Sequence, residues 1–453
     1  MSAAILPSPA RIPPVWLLPI FSSFSRNALK LFYRLTISGE RVPRRGPVLL
    51  VANHPNSLLD PGMVVAVARR PVRFLAKAPL FDMAVIGWLT KGAGAIPVYR
   101  QQDQAQVGPT AQNDDTFRAV WAALAEGAAV GIFPEGTSHS EPSLVPLKTG
   151  AARIALGAAL RTGGAFPLVP VGLSFRAKET FRSDAVAVVG DAVAWDDLAG
   201  TSPDDRDAVR ELTRRIDESL HEVTVNLERW DDRPLVEMAE AVYAAELPVE
   251  AAADARVARQ VEAAEGLARV RAEGRPEWRR VARDVAAHGR VLRVLGLTPA
   301  ELKASPRADA AIGWTGRQIA FFGLGAPVAA LGILVYWIPY RLTGILERRQ
   351  VEYRDVRATF KLLVGGLFHL LWTIAVATVV GWRFGWVAGL CTLFALPLAG
   401  FVALRVTEGW AEATAQARRF FLRTRRRAEL DELRARQADL ARRLHTLWEE
   451  VRV

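Results

Sequence analysis

The sequence predicts an α/β domain, followed by a helical segment and C-terminal hydrophobic membrane helices. Three observations predict it. Apolar runs alternate with amphipathic stretches between residues 40 and 200. After residue 202 the composition turns to Ala, Arg and Glu with few β-formers. Three long uncharged runs then lie close together near the C-terminus. A chain of 453 residues has room for two or three domains.

In the α/β part, 48–53 (VLLVAN), 95–100 (AIPVYR), 129–134 (AVGIFP), 168–175 (LVPVGLSF) and 185–190 (AVAVVG) read as strands. Between them, 63–68, 116–125 and 149–160 read as helices. Such a span can bury a sizeable core. Hydrophobic residues make up 51% of the chain and charged residues 23%, which excludes a disordered protein. The only cysteine, Cys391, excludes an internal disulfide, and one Cys with 6 His leaves little for a structural zinc site.

Beyond the α/β part, 204–225, 235–245 and 251–273 read as helices, and Gly274 with Pro276 ends the pattern. These helices carry no recognisable chemistry and read as an appendage joining the α/β domain to the membrane part.

The uncharged runs are 318–340, 362–382 and 384–404. Each is long enough to cross a hydrocarbon core about 30 Å thick as a helix. Trp314, Trp337, Tyr340, Trp382 and Trp386 stand at or near the run ends, where amphipathic rings favour the interface. Only Arg383 separates the second run from the third, so the two read as a hairpin with both ends on one side. Arg341, Arg348, Arg349, Arg354, Arg357 and Lys361 precede this hairpin, and Arg418, Arg419, Arg423, Arg425, Arg426 and Arg427 follow it, which places both flanks in the cytoplasm. The first run holds Pro327, Pro339, Gly323, Gly325 and Gly332, and reads as a broken, re-entrant hairpin or as a full span.

Before the α/β domain, 16–35 mixes bulky apolar residues with Arg26, Lys30 and Arg34. This suits a helix lying in the membrane interface, and equally a helix packing on its own domain. Pro7, Pro9, Pro13 and Pro14 argue against a signal peptide. In the tail, Leu430, Gln437, Leu444 and Val451 recur every seven residues, as do Leu433, Leu440 and Leu447. Three heptads favour a solvated amphipathic helix over a coiled coil, with a homo-oligomer through this helix as the alternative. The boundaries that follow are 1–35, an interfacial segment; 36–225, the α/β domain; 226–312, a helical linker; 313–405, the membrane region; and 406–453, a basic amphipathic tail.

Four motifs in the α/β domain carry chemistry. In 53–61 (NHPNSLLDP), His54 follows a strand and Asp60 comes six residues later. A His with a carboxylate behind it can take a proton from an alcohol near neutral pH. The carboxylate fixes the tautomer and stabilises the imidazolium. The two meet only if His54 sits in the turn and Asp60 in the first turn of the next helix. In 94–100 (GAIPVYR), Arg100 places a guanidinium past a strand end, and its fork suits a phosphate. In 133–140 (FPEGTSHS), Glu135 precedes Gly136, which permits close backbone approach, and then Thr137, Ser138, His139 and Ser140 supply hydroxyls and an imidazole. Such a turn can hold a polyol or a phosphate. In 168–175, Pro170 inside an apolar strand predicts an edge or a bulge. Lys77 and Lys148 join the candidates for their charge and their proximity to these motifs.

In their order, these motifs resemble the glycerolipid acyltransferase family, the glycerol-3-phosphate and lysophosphatidate acyltransferases. The resemblance covers roughly residues 30 to 225. The family's usual first motif is His-x4-Asp, and here it is His-x5-Asp. That spacing, the FPEGTSHS form without the common Arg after Thr, and the 147–158 stretch LKTGAARIALGA with FRSDAVAVVG look most like the fungal-type glycerol-3-phosphate/dihydroxyacetone-phosphate acyltransferase branch. Long C-terminal hydrophobic segments also occur in that branch.

The resemblance implies that His54 is the general base and Asp60 its orienting carboxylate. It implies that Arg100 binds the acceptor phosphate, that Glu135, Gly136 and Thr137 hold the glycerol-phosphate moiety, and that the Pro170 motif lies toward the acyl donor. The implied reaction moves a fatty acyl group from an acyl thioester, acyl-CoA or acyl carrier protein, onto glycerol-3-phosphate or 1-acylglycerol-3-phosphate in phospholipid synthesis. It needs no metal or cofactor. Membrane lipids would surround the hydrophobic helices, and cytosolic donors would require the α/β domain on the cytoplasmic face. A re-entrant first run satisfies that requirement. The alternative is a non-catalytic membrane-bound protein that keeps the fold to bind lipid or a partner. The net charge of +11 raises nucleic-acid binding too, but the basic residues are interleaved with Asp and Glu and no nucleic-acid motif is present.

Overall fold

The computed structural model describes residues 18–82, 84–98, 111–304, 308–351 and 353–452. The chain divides into two compact units, Met1–Glu228 with Ala251–Glu262, and Arg229–Glu250 with Ala263–Val453.

The first unit is built on a seven-stranded sheet. Its elements are α1 (Leu18–Phe32), β1 (Arg34–Gly39), β2 (Val48–Ala52), α2 (Leu59–Ala68), β3 (Val72–Lys77), α3 (Ala84–Gly92), β4 (Ile96–Val98), α4 (Ala111–Ala125), β5 (Ala129–Ile132), α5 (Gly150–Thr162), β6 (Leu168–Phe175), β7 (Asp184–Val189) and α6 (Arg206–Val223). The strand order is β1-β7-β6-β2-β5-β3-β4. Every pair is parallel except β6 with β7. Parallel strands need helical crossovers, and helices cover both faces of such a sheet.

The main core lies between β2, β5, β6 and β7 and helices α4, α5 and α6. It includes Leu49, Val51, Val130, Leu168, Val120, Leu124, Ile154, Leu156, Leu212 and Ile216. Helix α2 lies against β6 and β7 and is buried almost all round, as its sequence, apolar apart from Asp60, demands. Gly62 lets it approach α1, since a Cβ there would stand 2.9 Å from Leu29 Cδ1.

The N-terminal helix packs on its own domain along one side. Leu29 and Phe32 of α1 are buried, whereas Ile20, Phe24 and Leu31 face outward. Its end differs from expectation, because the chain leaves the helix at Phe32 and residues from Arg34 pair with β7. The prolines weighed against a signal peptide lie outside the described residues.

Pro170 corrects another expectation. Strand β6 is interior, flanked by β2 and β7, and not an edge. Its antiparallel ladder with β7 starts at Val171↔Val189, one residue past the proline. The missing N–H therefore falls where β7 has already ended, and the Pro170 carbonyl still accepts from Gly190 N–H at 3.0 Å.

The second unit is helical, with α7 (Arg233–Glu246), the end of α8 (Ala253–Glu273), α9 (Pro276–Leu295), α10 (Pro299–Lys303), α11 (Ala308–Gln350), α12 (Arg354–Phe384), α13 (Trp386–Arg425) and α14 (Arg427–Arg452). Among the described residues, three of its helical stretches are long and apolar enough to cross a membrane: Phe322–Gln350, Arg354–Phe384 and Trp386–Arg419. Their apolar side chains face outward, Leu324, Leu334, Phe394 and Leu398 among them. A protein with such surfaces associates with a membrane.

Helix α11 runs as one helical element from Ala308 to Gln350, with Pro327 and Pro339 inside it. Its Gly332 serves close packing: a Cβ there would stand 2.5 Å from the Ala399 carbonyl oxygen of α13. Proline fits helical φ and removes one donor per site, which a long helix tolerates when neighbours pack around it.

The tail is helical, and one side of it is buried within the chain. Helix α14 packs on α7 and α9 of its own chain, with Leu440 and Ala441 buried against Val242, Val281 and Val285. Gln437 is fully buried, donating to Glu246 Oε1 at 2.7 Å and to the Pro299 carbonyl at 3.1 Å. Leu430, Gln437 and Leu440 of the heptad pattern are thus covered from within the chain.

Candidate active site

The sheet brings the predicted motifs to one edge. Val51 of β2 stands beside Ile132 of β5, and β5 runs parallel to β3, which runs parallel to β4. The loops leaving these strands emerge side by side at their carboxyl ends, where open α/β sheets place their sites. Residues 53–58 follow β2, 133–140 follow β5, and Lys77 ends β3. Arg100 lies outside the described residues.

His54 and Asp60 meet. His54 Nδ1 is 2.8 Å from Asp60 Oδ2. The required arrangement is present: His54 sits in the loop and Asp60 in the first turn of α2. The extra residue in the spacing is accommodated by a tight turn. Ser57 adopts φ 49°, and the amides of Leu59 and Asp60 donate to the carbonyls of Asn56 and Ser57. Asp60 is wholly buried, and its Oδ2 also accepts the Asn56 amide at 2.6 Å. Burial pushes the Asp60 carboxyl above its ordinary range, against the pull of the His54 ring, the Asn56 amide and the Lys178 charge. The helix N-terminus favours the carboxylate as well.

The His54 ring lies flat on Phe133, with centroids 4.1 Å apart and planes 12° from parallel. Phe74 continues the stack on the far side of Phe133. One edge of the imidazole is tied to Asp60 and one face to Phe133, so Nε2 is the ring nitrogen left for chemistry. The side chain remains 17% exposed, enough for a substrate to reach it.

Glu135 is placed differently from a substrate contact. It is almost wholly buried, and its oxygens are used inside the protein. Oε1 accepts the His54 backbone N–H at 2.7 Å, and Oε2 accepts the Val145 N–H at 3.2 Å and bonds His139 Nε2. Glu135 ties the loop after β5 to the loop after β2. Gly136 has φ 74°, and a Cβ there would stand 2.7 Å from Lys148 Nζ. Lys148 thus leans over the turn, anchored by its amide to the Pro134 carbonyl at 2.8 Å. Thr137, Lys148 and Lys77 are all exposed.

Four side chains absent from the sequence-based assignment hold this site together. Lys178 Nζ donates to the Pro55 carbonyl and to Ser140 Oγ, both at 2.7 Å. Asn56 Nδ2 donates to Tyr33 Oη at 2.8 Å, and Tyr33 Oη donates to the Lys178 carbonyl. Burial pushes the Tyr33 phenol well above its ordinary range, so it stays a donor. Asn53 exchanges two hydrogen bonds with Leu173 of β6, at 3.0 and 2.7 Å. Asn53 and Asn56 stand inside the first motif, where two amides so near a His–Asp pair could have flagged them.

The Acyltransferase family model matches residues 34–174. This stretch is an acyltransferase-family domain. Glycerol-3-phosphate O-acyltransferase 2 of Saccharomyces cerevisiae is 38% identical over 134 residues, 29% of this chain and 18% of that protein. The chloroplastic 1-acyl-sn-glycerol-3-phosphate acyltransferase BAT2 of Brassica napus is 33% identical over 144 residues, 31% of this chain and 38% of the plant protein. The 1-acyl-sn-glycerol-3-phosphate acyltransferase of Bacillus subtilis is 28% identical over 214 residues, 46% of this chain and 98% of the bacterial one. The chain spans less than half the length of the yeast and plant relatives. A solved LPA acyltransferase, PlsC from Thermotoga maritima, aligns at a TM-score of 0.34 and 20% identity, covering 45% of this chain and 76% of that one. The acyltransferase domain contains both His54 and Asp60, whereas Lys178 falls four residues beyond the matched stretch.

Proposed function

We propose that this protein transfers a fatty acyl group from an acyl thioester to a hydroxyl of glycerol-3-phosphate or 1-acylglycerol-3-phosphate. The observation that carries the reading is the contact between His54 Nδ1 and Asp60 Oδ2, which leaves Nε2 turned to its task. Nε2 takes the proton of the acceptor hydroxyl as its oxygen attacks the thioester carbonyl. The tetrahedral intermediate then collapses, the C–S bond breaks, and the departing sulfur receives the proton from His54. Asp60 steadies the imidazolium between these two steps. The exposed Lys77 and Lys148, together with Arg100 as the resemblance implies, suit the acceptor phosphate. The backbone of Gly136 and the hydroxyl of Thr137 suit the glycerol-phosphate moiety, and Glu135 supports that turn from behind.

The donor would be acyl-CoA or acyl carrier protein. Both are cytosolic thioesters, which places the acyltransferase domain on the cytoplasmic face. The apolar helices would keep the enzyme where acyl chains and products partition.

The test is the full chain in detergent with labelled acyl-CoA and each acceptor in turn. Phosphorylated product from one acceptor, lost in His54→Ala, is the expected result. An unmodified chain that turns over neither acceptor with either donor overturns the reading.

A further inference from the structure

The second unit combines two features that three simple membrane crossings cannot satisfy. The first is the sense in which α11, α12 and α13 pack. Along α11, Phe322 meets Trp410, Gly325 meets Val406, Gly332 meets Ala399, and Tyr336 meets Gly400 of α13. Past that point α11 turns to α12. Trp372 Nε1 donates to the Val335 carbonyl at 2.9 Å, Tyr336 Oη bonds Thr373 Oγ1 at 2.8 Å, and Thr343 meets Gly365. Glu347 then pairs with Arg357 at 3.5 Å and Lys361 at 3.8 Å. The α12–α13 hairpin closes at Gly381 and Gly389. From end to end of each pairing the partner numbers fall as α11 numbers rise, from Trp410 to Gly400 on α13 and from Thr373 to Arg357 on α12, so all three helix pairs run antiparallel. Three rods that each cross a bilayer cannot do so, because two of them must point the same way.

The second feature is where the chain goes before and after these helices. Leu292, Leu297 and Leu302, from α9 to α10, form one core with Leu430 of α14. Arg419, near the end of α13, pairs with Glu301 of α10 at 2.6 Å. The segment entering α11 and the segment leaving α13 are one folded, charged body, which belongs in water on one side.

We infer that α12 and α13 cross the bilayer as a hairpin while α11 enters and returns on the face it came from. Thr373 and Gly400 lie midway along the hairpin arms, whereas Lys361 and Trp410 lie toward their open ends. The middle of α11, at Tyr336, therefore sits nearer the hairpin apex than either Phe322 or Glu347 does. Pro339 stands where α11 changes partner, and proline is the usual cause of a helix bend. The lengths agree. Helix α12 has 31 residues and extends about 46 Å, more than the hydrocarbon thickness. Trp382 and Trp386, 87% and 77% exposed, bracket the apex and suit the far interface. The Glu347, Arg357 and Lys361 cluster suits the near one.

Accessibility labelling reads this directly and independently of activity. In a Cys391→Ser background, single cysteines replace Arg290, Gln350, Arg383 and Glu449 in turn. Sealed membrane vesicles from expressing cells are treated with an impermeant maleimide before and after permeabilisation. Arg290→Cys, Gln350→Cys and Glu449→Cys should label from one face, and Arg383→Cys from the other. Labelling of Gln350→Cys and Glu449→Cys from the face opposite Arg290→Cys would overturn the inference, as would Arg383→Cys labelling with the rest. A cleavable tag after Val453, read with a tag-specific protease on the otherwise unmodified chain, covers any substitution that misfolds. Protection of that tag where Arg290→Cys labels also overturns it.

Discussion

The carboxylate of Glu135 holds the backbone N–H of His54 at 2.7 Å, across two loops that the sequence separates by 81 residues. The same carboxylate bonds the ring of His139 and the amide of Val145. A buried anion with several donors around it fixes what it touches, because leaving any of those donors unpaired costs free energy. The position of the proposed base is therefore set from two directions, through its ring by Asp60 and through its main chain by Glu135.

Removing the ring partner tests the first direction. Asp60→Asn keeps the volume but no longer stabilises an imidazolium and can select the wrong tautomer. We expect turnover to fall by about 10²- to 10⁴-fold, the range for a misdirected general base. His54→Ala should fall at least as far. Asp60→Asn should leave the thermal midpoint near that of the parent chain or above it, since burial already disfavours the charged carboxylate. Initial rates with the better acceptor, read beside melting curves in detergent, separate the two effects.

The main-chain brace predicts a different signature. Glu135→Ala leaves the amides of His54 and Val145 without their acceptor in a buried place. A loss of about 1–3 kcal/mol is expected, seen as a lower melting midpoint together with lower activity. Glu135→Gln retains an acceptor oxygen and should recover part of both. Had Glu135 served mainly as a substrate contact, the Ala variant would raise KM and leave stability alone.

The pair of His54 and Asp60 is legible in the sequence because a strand end and a helix start place those two residues with little freedom between them. The sheet itself was readable where strands are continuously apolar, as β2, β5, β6 and β7 are. Strands β1 and β3 escape that reading because RLTISG is partly exposed and VRFLAK carries Arg73 and Lys77. Lys178 escapes for another reason. Its partners are the carbonyl of Pro55 and the hydroxyl of Ser140, and main-chain acceptors leave no mark on a residue pattern. Glu135 was legible as a conspicuous acid, but its inward orientation follows from donors brought by distant loops. In the second unit, the glycines of α11 read only as helix breakers, whereas Gly332 and Gly325 also let α13 approach closely. Neighbouring helices give small residues a packing role that no single-segment pattern contains.

Ser57 tests how the longer His-to-Asp spacing is absorbed. A non-glycine residue at φ 49° is held in the left-handed region at a cost of about 1–2 kcal/mol. Ser57→Gly should keep activity within a few-fold and change stability by less than about 1 kcal/mol, since relief in the fold offsets the freer unfolded chain. Ser57→Val should lower activity far more, because a β-branched residue resists this backbone and the turn that presents Asp60 would shift. Equal activity in the two variants would mean that the turn does not set the pair.

In the second unit, Asp232 supplies the clearest dependence on acid. It is almost wholly buried and accepts from Arg271, with Oδ2 at 2.6 Å from Nη1. The Arg271 hydrogen bonds hold its carboxyl below the ordinary range, outweighing the opposing effect of burial. A carboxyl whose pKa is depressed by folding adds stability above its unfolded value, near about 3.9, and that contribution is lost as pH falls through the folded value. The parent chain should therefore lose stability on acidification in this window. Asp232→Asn should be less stable than the parent at neutral pH, and the gap should close as the medium is acidified. Arg271→Met should cost about 1–3 kcal/mol at neutral pH, as a charged acceptor loses its main donor. Melting midpoints of the three chains across an acid series check this, and a gap between parent and Asp232→Asn that stays constant with pH would show that the ion pair contributes nothing through its charge.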